Sequence, residues 1–272
     1  MNVAYQGAAG AFSELAALRF FKDQKPETIG FSDFPSMFQA VESGAVDYGM
    51  FPVENTTTGL ITRTYDLFQF HKVFAIGEIK VPIRQNLITL SGVTLNEIRE
   101  VYSHPEALSQ CSRFFAAHPA IRQVVYEDTA LSVKYIRDLN DPSKAAIASS
   151  RAAEVYELPI LIPAVQDDGG NTTRFLCLSR EKRFDPQADK ISIRLVLQHD
   201  PGALYHTLGI FASKRINVLL VESRPIPGKQ FEYCFYLDFE GNLNDPDVAE
   251  VLRRLEYDSL SLQLIGNYRA DQ

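Results

Sequence analysis

Hydrophobic and polar residues alternate along the chain with two periods, one typical of strands and the other of helices. Short apolar runs at Val3–Tyr5, Thr28–Phe31 and Val46–Val53 predict strands, and the spacing over Phe12–Phe21 predicts an amphipathic helix. Units of this kind, separated by short turns, continue to about residue 180. Such alternation is typical of α/β proteins with mainly parallel sheets. The pattern therefore predicts an α/β fold for this part of the chain.

The later elements of this region follow the same rhythm. Ser32 or Asp33 is predicted to cap a helix that has Pro35 in its first turn, where a missing N–H costs no hydrogen bond. The remaining predicted elements are Leu60–Phe70, Val101–Tyr102, Pro105–Ala117, Ile121–Val125, Thr129–Leu139, Ala145–Ala148 and Ser149–Tyr156. Ligands of such folds bind where strands end, so the polar loops after these strands are candidate sites.

A polar segment, SREKRFDPQADK at residues 179–190, interrupts the periodicity and predicts a linker. The elements predicted after it run strand, helix, strand, strand, helix, strand, which is the order of a ferredoxin-like βαββαβ unit. Its two helices follow the sequences DPG and NDP, both of which are helix start signals. We therefore divide the chain into a first domain at 1–180, a linker at 181–189 and a second domain at 190–272.

The amino-acid composition restricts the classes of protein to which this chain can belong. The 272 residues are 46% hydrophobic and 22% charged, as in ordinary globular proteins, and 27 basic against 34 acidic residues give a net charge of −7. A negative charge of this size argues against general binding to nucleic-acid phosphates. Three widely spaced cysteines without a CxxC motif predict neither a disulfide framework nor a zinc site, and no apolar run reaches the ~18 residues of a membrane span. We expect a cytoplasmic protein without nucleic-acid or membrane partners.

Common cofactor motifs are absent from the sequence. It contains no GxxxxGK[ST], GxSxG or HExxH, and its five histidines show no metal-ligand spacing, so we expect neither a metal nor a cofactor. Gly7 and Gly10 lie between a predicted strand and a predicted helix, where free N–H groups could hold an anion. A tight strand–helix turn explains the two glycines equally well.

Three polar clusters, two that follow predicted strands and one that leads into a strand, are the candidate chemistry of the chain. PVENTTTG spans residues 52–59, SHPE spans 103–106, and DDGGNTTRF spans 167–175. Each has a plain structural interpretation: a turn, a capping box of a serine with a glutamate three residues later, and a strand start. In the third cluster Arg174, which keeps its charge and matches a carboxylate, stands between a hydroxyl and an aromatic ring. That combination favours a binding site over a simple strand start.

Together the segments AYQGAAGAFS, PVENTTTG, VYSHPEALSQC and NTTRF resemble the prephenate dehydratase family, lyases that form phenylpyruvate. DPGALYHTLGIFASKRINV and VESRPIP resemble the ACT regulatory module of the same enzymes, which binds phenylalanine at a subunit interface. The resemblance implies a two-lobed, periplasmic-binding-protein-like catalytic domain followed by a ferredoxin-like ACT domain. It further implies the substrate prephenate, the effector L-phenylalanine, no cofactor, and a homodimer or homotetramer.

The resemblance also implies which residues form the two sites. The catalytic set is Glu54, Asn55, Thr56, Ser103, Gln110, Thr173, Arg174 and Phe175, and the effector-binding set is Gly202, Ala203, Leu204, Asn217, Glu222, Ser223, Arg224 and Pro225. Two positions depart from the family pattern: Thr56 stands where serine is usual, and Gln85 stands where histidine is usual. No catalytic task of that histidine is therefore assigned to this chain.

The reaction expels CO2 from one ring carbon and water from the opposite one, and aromatisation drives it. We hypothesise that Thr173 hydrogen-bonds the leaving hydroxyl, with Glu54 as a possible proton source, and that Arg174 grips the side-chain carboxylate or fixes its loop. The aromatic ring of the catalytic set would pack on the substrate and exclude water. Neutral donors of the set would orient the substrate: Asn55, Ser103 and Gln110.

Two alternatives stay open from the sequence. Arogenate dehydratase performs the same elimination on a substrate with an amino group in place of the keto group, and no residue distinguishes the two enzymes. A non-catalytic amino-acid sensor is a rival of another class, because two-lobed α/β folds and ACT modules also occur in binding proteins. The complete set of polar residues in the catalytic part argues against the sensor.

Overall fold

The computed structural model describes residues 1–183 and 185–271 and shows a mixed α/β protein, as the alternating pattern predicts. Its strands are β1 (Asn2–Gln6), β2 (Glu27–Phe31), β3 (Tyr48–Asn55), β4 (Gly59–Leu60), β5 (Phe74–Pro82), β6 (Asn86–Thr89), β7 (Glu100–Ser103), β8 (Arg122–Val125), β9 (Lys144–Ala148), β10 (Ile160–Ile162), β11 (Thr172–Ser179), β12 (Lys190–Val196), β13 (Val218–Pro225), β14 (Tyr233–Glu240) and β15 (Ser261–Tyr268). Its helices are α1 (Phe12–Phe20), α2 (Phe34–Ser43), α3 (Thr62–Leu67), α4 (Pro105–Ser109), α5 (Ser112–Ala117), α6 (Thr129–Leu139), α7 (Ser150–Val155), α8 (Ala203–Ser213) and α9 (Pro246–Asp258). None of these helices has the length and apolarity that crossing a bilayer requires.

The chain forms two compact units that do not follow the linear division of the sequence. The first unit contains Met1–Met37, Gly49–Ile61 and Lys80–Phe175. The second contains Phe38–Tyr48, Thr62–Ile79 and the chain from Leu176 onwards. Hydrophobic periodicity finds elements but carries no information about their distant partners, so it could not assign the two early segments to the second unit. The functional division into a catalytic and a regulatory domain stays a prediction.

The first unit contains two sheets. In one of them β11, β3, β1 and β2 are neighbours in that order, and β1 pairs with β2 in parallel. The other has five strands in the order β10-β6-β9-β7-β8. In it β7 is parallel to β8 and β9, whereas β6 is antiparallel to β9 and β10. The prediction of mainly parallel sheets is thus wrong for half the pairs of this sheet, because a sequence pattern shows strands but not their directions.

The turn before α1 requires a glycine. Gly10 has a φ of +97°, and a Cβ atom at this position would lie 2.6 Å from the Cα of Ala152 in α7. The Gly10 N–H donates to the buried carboxylate of Glu14, which also accepts from Thr28 and pairs with Arg151. The glycines therefore form a tight turn, and the anion at this helix start is the protein's own Glu14.

The predicted helix Pro105–Ala117 is broken into α4 and α5 after Ser109. The backbone N–H of Asp167 donates to the carbonyl oxygen of Gln110 at 2.7 Å. The Asp167 carboxylate accepts from the N–H groups of Ser112 and Arg113, each at 2.9 Å, and so caps the first turn of α5. Asp167, which lies 55 positions after Ser112, thus stabilises the end of one helix and the start of the next. Local sequence patterns do not show such a distant contact.

The second unit contains the predicted βαββαβ order as β12, α8, β13, β14, α9 and β15. The strand order is β13-β14-β12-β15-β5, and the pairs among β12 to β15 are antiparallel, as in a ferredoxin-like sheet. Residues of both helices, among them Phe211 and Val251, pack with Ile193 and Leu237 in one core. Strand β5, from the early part of the chain, joins the far side of β15 in parallel.

Side chains of the sheet hold the early segment Thr62–Ile79 in the second unit. The Tyr236 hydroxyl donates to the carbonyl oxygen of Tyr65 at 2.6 Å, and their rings meet edge to face at 5.1 Å. Gln263 Nε2 donates to the carbonyl oxygen of Phe68 at 3.2 Å. These bonds satisfy backbone groups at the end of the short helix α3, which has little stability of its own.

A cluster of charged groups is buried in the second unit. Lys190 Nζ lies 2.8 Å from Glu78 Oε2 and 3.7 Å from Asp238 Oδ2. Ser192 Oγ donates to the other oxygen of Asp238 at 2.6 Å. None of these four residues is more than 6% exposed. Burying an ion costs several kcal/mol unless it is paired, so Lys190 compensates two buried carboxylates at once.

Candidate functional site

Asn55 joins the loop that follows β3 to the loop that precedes β11. Its Nδ2 donates to Asn171 Oδ1 at 2.7 Å and to Thr173 Oγ1 at 2.9 Å. Its Oδ1 accepts from the N–H groups of Thr57 and Thr58 at 2.9 and 3.0 Å. The Asn55 carboxamide thus uses both its donor and its acceptor within the protein. Thr173 accepts in this network and keeps its hydroxyl proton available as a donor.

Thr56 fastens the same two loops. Its backbone N–H donates to the carbonyl oxygen of Thr172 at 3.0 Å, and the Thr172 N–H donates back to Thr56 Oγ1 at 3.0 Å. The hydroxyl makes this contact, and a serine would supply the same group. The departure from the family pattern at position 56 therefore preserves the interaction.

Successive residues of a strand point to opposite faces, and this separates two pairs of predicted catalytic residues. Asn55 contacts Thr173 on one face of the β3–β11 pair, and Glu54 Oε2 accepts from Arg174 Nε at 3.0 Å on the other. The Arg174 side chain is 8% exposed, so its guanidinium is held by a carboxylate of the protein in a nearly buried position. This arrangement favours the loop-fixing alternative for Arg174 and argues against Glu54 as a proton source for Thr173.

A cavity of about 230 Å³ opens beside the two loops. Its walls come from three parts of the first unit: Thr57, Thr58, Glu106, Ser109, Gln110, Gln166, Asp167, Asp168 and Asn171. Three of these residues carry carboxylates, and within the described part of the chain no lysine or arginine lines the cavity. Enclosed sites with a few convergent polar groups are typical of small-molecule binding.

Gln110 reaches this cavity because the chain is interrupted between α4 and α5. Asp167, which causes the interruption, also lines the cavity. Burial acts to raise the pKa of the Asp167 carboxyl, but the hydrogen bonds from Ser112 and Arg113 outweigh burial and hold the pKa below its ordinary value. The Asp167 carboxylate is therefore ionised at neutral pH and committed to capping α5.

Gln110 is the one predicted catalytic residue among the described residues that line the cavity, and the other seven lie outside that lining: Glu54, Asn55, Thr56, Ser103, Thr173, Arg174 and Phe175. Ser103 is fully buried, and its Oγ donates to the carbonyl oxygen of Ile147 at 2.6 Å, which ties the end of β7 to β9. Phe175 is 2% exposed and lies within β11. Neither position matches direct contact with a ligand in this cavity, and both side chains support the strands behind the site.

The predicted capping box at SHPE is wrong. His104 is the N-cap of α4, and the Glu106 N–H donates to His104 Nδ1 at 3.3 Å. Ser103 cannot cap the helix because it belongs to β7, where its hydroxyl is used by a neighbouring strand. Pro105 stands in the first turn of α4, as predicted.

Sequence reasoning missed Asn171, a buried residue that lines the cavity and accepts from Asn55. The signal was present, since Asn171 opens the NTTRF segment. Thr57 and Thr58 also line the cavity and belong to the first polar cluster. In contrast, nothing in the sequence marks Gln166, whose position depends on the loop before β11.

The predicted effector residues occupy two separate places in the second unit. Gly202, Ala203 and Leu204 line a surface cavity of about 800 Å³ at the start of α8, together with Lys229 and Tyr233. Gly202 is the N-cap of α8 and has a φ of +85°, a conformation that favours glycine. The others lie at or on β13, outside the described lining of this cavity: Asn217, Glu222, Ser223, Arg224 and Pro225.

Arg224 is committed to an ion pair. Its Nε and Nη2 donate to the two carboxylate oxygens of Asp66, both at 2.8 Å, in the bidentate geometry that is strongest for this pair. β13 is the last strand in its sheet order, and every second residue faces outward, including Leu219 and Val221, which are 46% and 43% exposed. Arg224 therefore anchors this edge strand to helix α3.

The three cysteines are free and buried, and burial raises the pKa of the Cys111 thiol, next to Gln110, to about 12. Cys111 is thus a protonated thiol at neutral pH. Across residues 1–183 and 185–271, His, Cys, Asp and Glu side chains form no group of three or more suited to holding a metal ion.

Comparison with known proteins relates this arrangement to a family. The model of the family described as prephenate dehydratase matches residues 3–183. Arogenate dehydratase/prephenate dehydratase 2, chloroplastic, of Arabidopsis thaliana is 38% identical over 282 residues, covering all of this chain and 73% of the relative. Arogenate dehydratase 2 of Petunia hybrida is 36% identical over 288 residues, covering all of this chain and 72% of the relative.

Solved structures show the same similarity over the full length. The prephenate dehydratase of Arthrobacter aurescens in complex with L-Phe has a TM-score of 0.90 and 29% identity, covering 99% of this chain and 90% of that one. GqqA, called a novel type of quorum quenching acylase, has a TM-score of 0.91 and 29% identity, covering 100% of this chain and 98% of that one.

Proposed function

The chain belongs to the prephenate dehydratase family, and from this premise we propose that it converts prephenate to phenylpyruvate, CO2 and water under feedback control by L-phenylalanine. As a member of this family it is a lyase, a decarboxylating dehydratase. The observation that carries the choice of catalytic group is the hydrogen bond of 2.9 Å from Asn55 to Thr173, beside the cavity wall. It leaves the Thr173 hydroxyl as a donor in a network that reaches the cavity wall through Asn171, and that wall holds both carboxamides and carboxylates.

The elimination needs a hydrogen-bond or proton donor at the leaving oxygen. The bond from the ring to its carboxylate breaks and releases CO2, the electron pair enters the ring, and the opposite C–O bond breaks as the oxygen takes up a proton to become water. Donation from Asn55 polarises the Thr173 hydroxyl and turns its proton away from Asn55, towards a second acceptor. A threonine hydroxyl is a weak acid, so Thr173 hydrogen-bonds the leaving oxygen and relays a proton from water.

The remaining polar groups orient the substrate or hold the surrounding strands in place. Asn171 and Gln110 present carboxamides to the cavity, which suits recognition of carboxylate and keto oxygens by neutral donors. Glu54 and Arg174 hold the strand ends in register on the opposite face. The catalytic residues proper are then few, and most of the predicted set holds them in place.

Arogenate is the second candidate substrate, and the acidic cavity wall favours it. Glu106, Asp167 and Asp168 would attract the ammonium group that arogenate carries in place of the keto group of prephenate. Prephenate has a larger negative charge and would be repelled more strongly by the same wall. The names of several relatives, among them arogenate dehydratase 2 of Petunia hybrida, agree with this candidate.

Amide hydrolysis, which the name of GqqA suggests, is less well supported. An acylase needs an activated nucleophile. The Ser103 hydroxyl is fully buried and donates to a backbone oxygen, and the Cys111 thiol is buried with a pKa of about 12. Neither of these residues is placed to attack a substrate in the cavity.

Regulation by phenylalanine is proposed to require a second copy of the chain. Gly202 to Leu204 line one cavity, whereas Glu222 to Pro225 lie on the outer strand β13. The prephenate dehydratase of Arthrobacter aurescens was solved with L-Phe bound. Pairing of two β13 edges in a homodimer or homotetramer would bring the first motif of one protomer near the second motif of its partner, and would cover Leu219 and Val221. A cytoplasmic location likewise stays a proposal.

The proposed activity is tested by product formation. We expect phenylpyruvate from prephenate, measured in stopped samples, and a lower rate with millimolar L-phenylalanine, because binding between protomers favours one of two states. A parallel assay with arogenate, followed as phenylalanine formed, gives the ratio of kcat/KM for the two substrates. Formation of neither product would refute the dehydratase, and an unchanged rate with phenylalanine would refute only the regulation.

The structural role assigned to Glu54 predicts a mild effect of Glu54→Gln. The amide oxygen still accepts from Arg174 Nε, so we expect kcat to change by less than about threefold, with a small loss of thermal stability. A proton donor at this position would instead lose about 10²-fold or more in kcat. Steady-state kinetics on the purified variant, with its melting temperature, separates the two roles.

A further inference from the structure

Gln85 lies in the short connection between β5 and β6 and is 3% exposed. Its backbone is held on both sides: its N–H donates to Gln166 Oε1 at 3.0 Å, and its carbonyl oxygen accepts from the Val165 N–H at 2.8 Å. Gln166 lines the candidate active-site cavity. The Gln85 backbone therefore has one fixed position directly behind the cavity wall.

The side chain of Gln85 bonds to a residue of that wall. Gln85 Nε2 donates to Gln110 Oε1 at 3.3 Å, and in the described part of the chain this is the one hydrogen bond that the Gln110 carboxamide makes. Gln85 Oε1 is buried and has no hydrogen-bond partner among the described residues. Buried acceptors are nearly always satisfied in proteins, so this polar group is retained at a cost in stability.

The bond decides which end of the Gln110 carboxamide faces the cavity. A carboxamide presents an acceptor on one side and two donors on the other, and the two ends are almost equal in size. With its oxygen bound to Gln85, Gln110 presents its NH2 group to the cavity, where it can donate to a substrate oxygen. Without the Gln85 donor, the carboxamide could turn over and present its oxygen, which would repel a carboxylate.

We propose that Gln85 is a positioning residue, which acts through Gln110 and sets the polarity of the cavity wall towards the oxygens of an anionic substrate. The proposal rests on the dehydratase function proposed above. Gln85, which stands where the family usually has histidine, thereby has a role in substrate recognition. A glutamine does not titrate near neutral pH, so it holds Gln110 in one orientation over the working range.

Two substitutions of similar shape test the polarity of the contact. Gln85→Met removes the donor and keeps the volume, so we expect kcat/KM to fall about fivefold to tenfold, mainly through a higher KM. Gln85→Glu replaces the donor by a carboxylate when the new side chain is ionised. It should draw the Gln110 NH2 group away from the cavity and lower kcat/KM more than Gln85→Met does. Burial raises the pKa of that carboxyl, and protonation restores an O–H donor, so kcat/KM relative to Gln85→Met should recover as the pH falls below about 7.

A double-mutant cycle separates positioning from general support of the fold. In the Gln110→Ala background Gln85→Met should change kcat/KM by less than about twofold, because the group that Gln85 positions is gone. Equal losses in the two backgrounds would overturn the proposal, as would Gln85→Glu following the pH profile of Gln85→Met. Melting temperatures and circular dichroism exclude variants that fail to fold, and Gln85→His, which keeps an N–H donor, should retain most activity.

The substrate in these assays is whichever of prephenate and arogenate the wild-type protein converts. A wild-type protein inactive on both would refute the proposed function. A wild-type protein that is active, with Gln85→Met unchanged in kcat and KM, would refute the role of Gln85 alone.

Discussion

We expect Thr173→Val to lower kcat by about 10²-fold and to leave the fold intact, because valine has the shape of threonine and lacks only the hydroxyl that is proposed to serve the leaving oxygen. Thr173 accepts from Asn55 at 2.9 Å and donates to no described residue, so under the proposed function the interaction that valine removes is the one with the leaving oxygen. Because the hydrogen bond strengthens as the C–O bond breaks, KM should change less than kcat. Steady-state kinetics on the preferred substrate gives both constants.

Two further variants make this result interpretable. Thr173→Ser restores the hydroxyl and should recover most of kcat. Thr172→Val removes the neighbouring hydroxyl, which donates to the carbonyl oxygen of Gly170 at 3.1 Å, and kcat should stay within about threefold of wild type. A kcat of Thr173→Val within the same range would remove Thr173 from the mechanism and leave water as the only proton donor.

We expect Lys190→Met to destabilise the protein by about 3–5 kcal/mol, since it removes a buried cation that lies close to two buried carboxylates. Lys190 Nζ lies 2.8 Å from Glu78 and 3.7 Å from Asp238, and both acidic residues are at most 6% exposed. Urea unfolding, followed by circular dichroism, measures the loss as a lower midpoint at an unchanged slope.

A matched substitution at an exposed lysine identifies burial of the charges as the cause. Lys229→Met is the control, because Lys229 is 47% exposed in its pair with Glu232 and should cost less than about 1 kcal/mol. Equal losses at Lys190 and Lys229 would contradict this account of the cluster.

The polar clusters were predictable because strand ends are where an α/β fold brings polar residues together. Residues 52–59 and 167–175 do meet, through the contacts of Asn55 with Asn171 and Thr173. The roles of individual residues could be assigned only once the pleat of the strands showed which face each side chain occupies. Glu54 and Arg174 are adjacent in sequence to Asn55 and Thr173, yet they point to the opposite face and bind each other.

Gln110 shows why the rest of the site could not be read from local pattern. The sequence from Pro105 to Ala117 has an uninterrupted helical spacing, and it predicts a residue on a helix edge. Asp167 breaks that helix from a distance of 55 positions, and the break carries Gln110 to the cavity. Contacts between distant segments depend on burial and hydrogen bonding in three dimensions, which residue spacing does not encode.

Periodicity and short motifs are local properties, so the amino-acid sequence was sufficient to predict the α/β class, the βαββαβ order of the C-terminal part and the family. Which side chains face the cavity depends on strand pairing and long-range capping, and these became visible in the folded chain alone. The same is true of segments 38–48 and 62–79, which pack with the C-terminal part and bring Glu78 to Lys190. Buried charges and unsatisfied amides, such as those of Lys190 and Gln85, become visible only when distant segments exclude water from them.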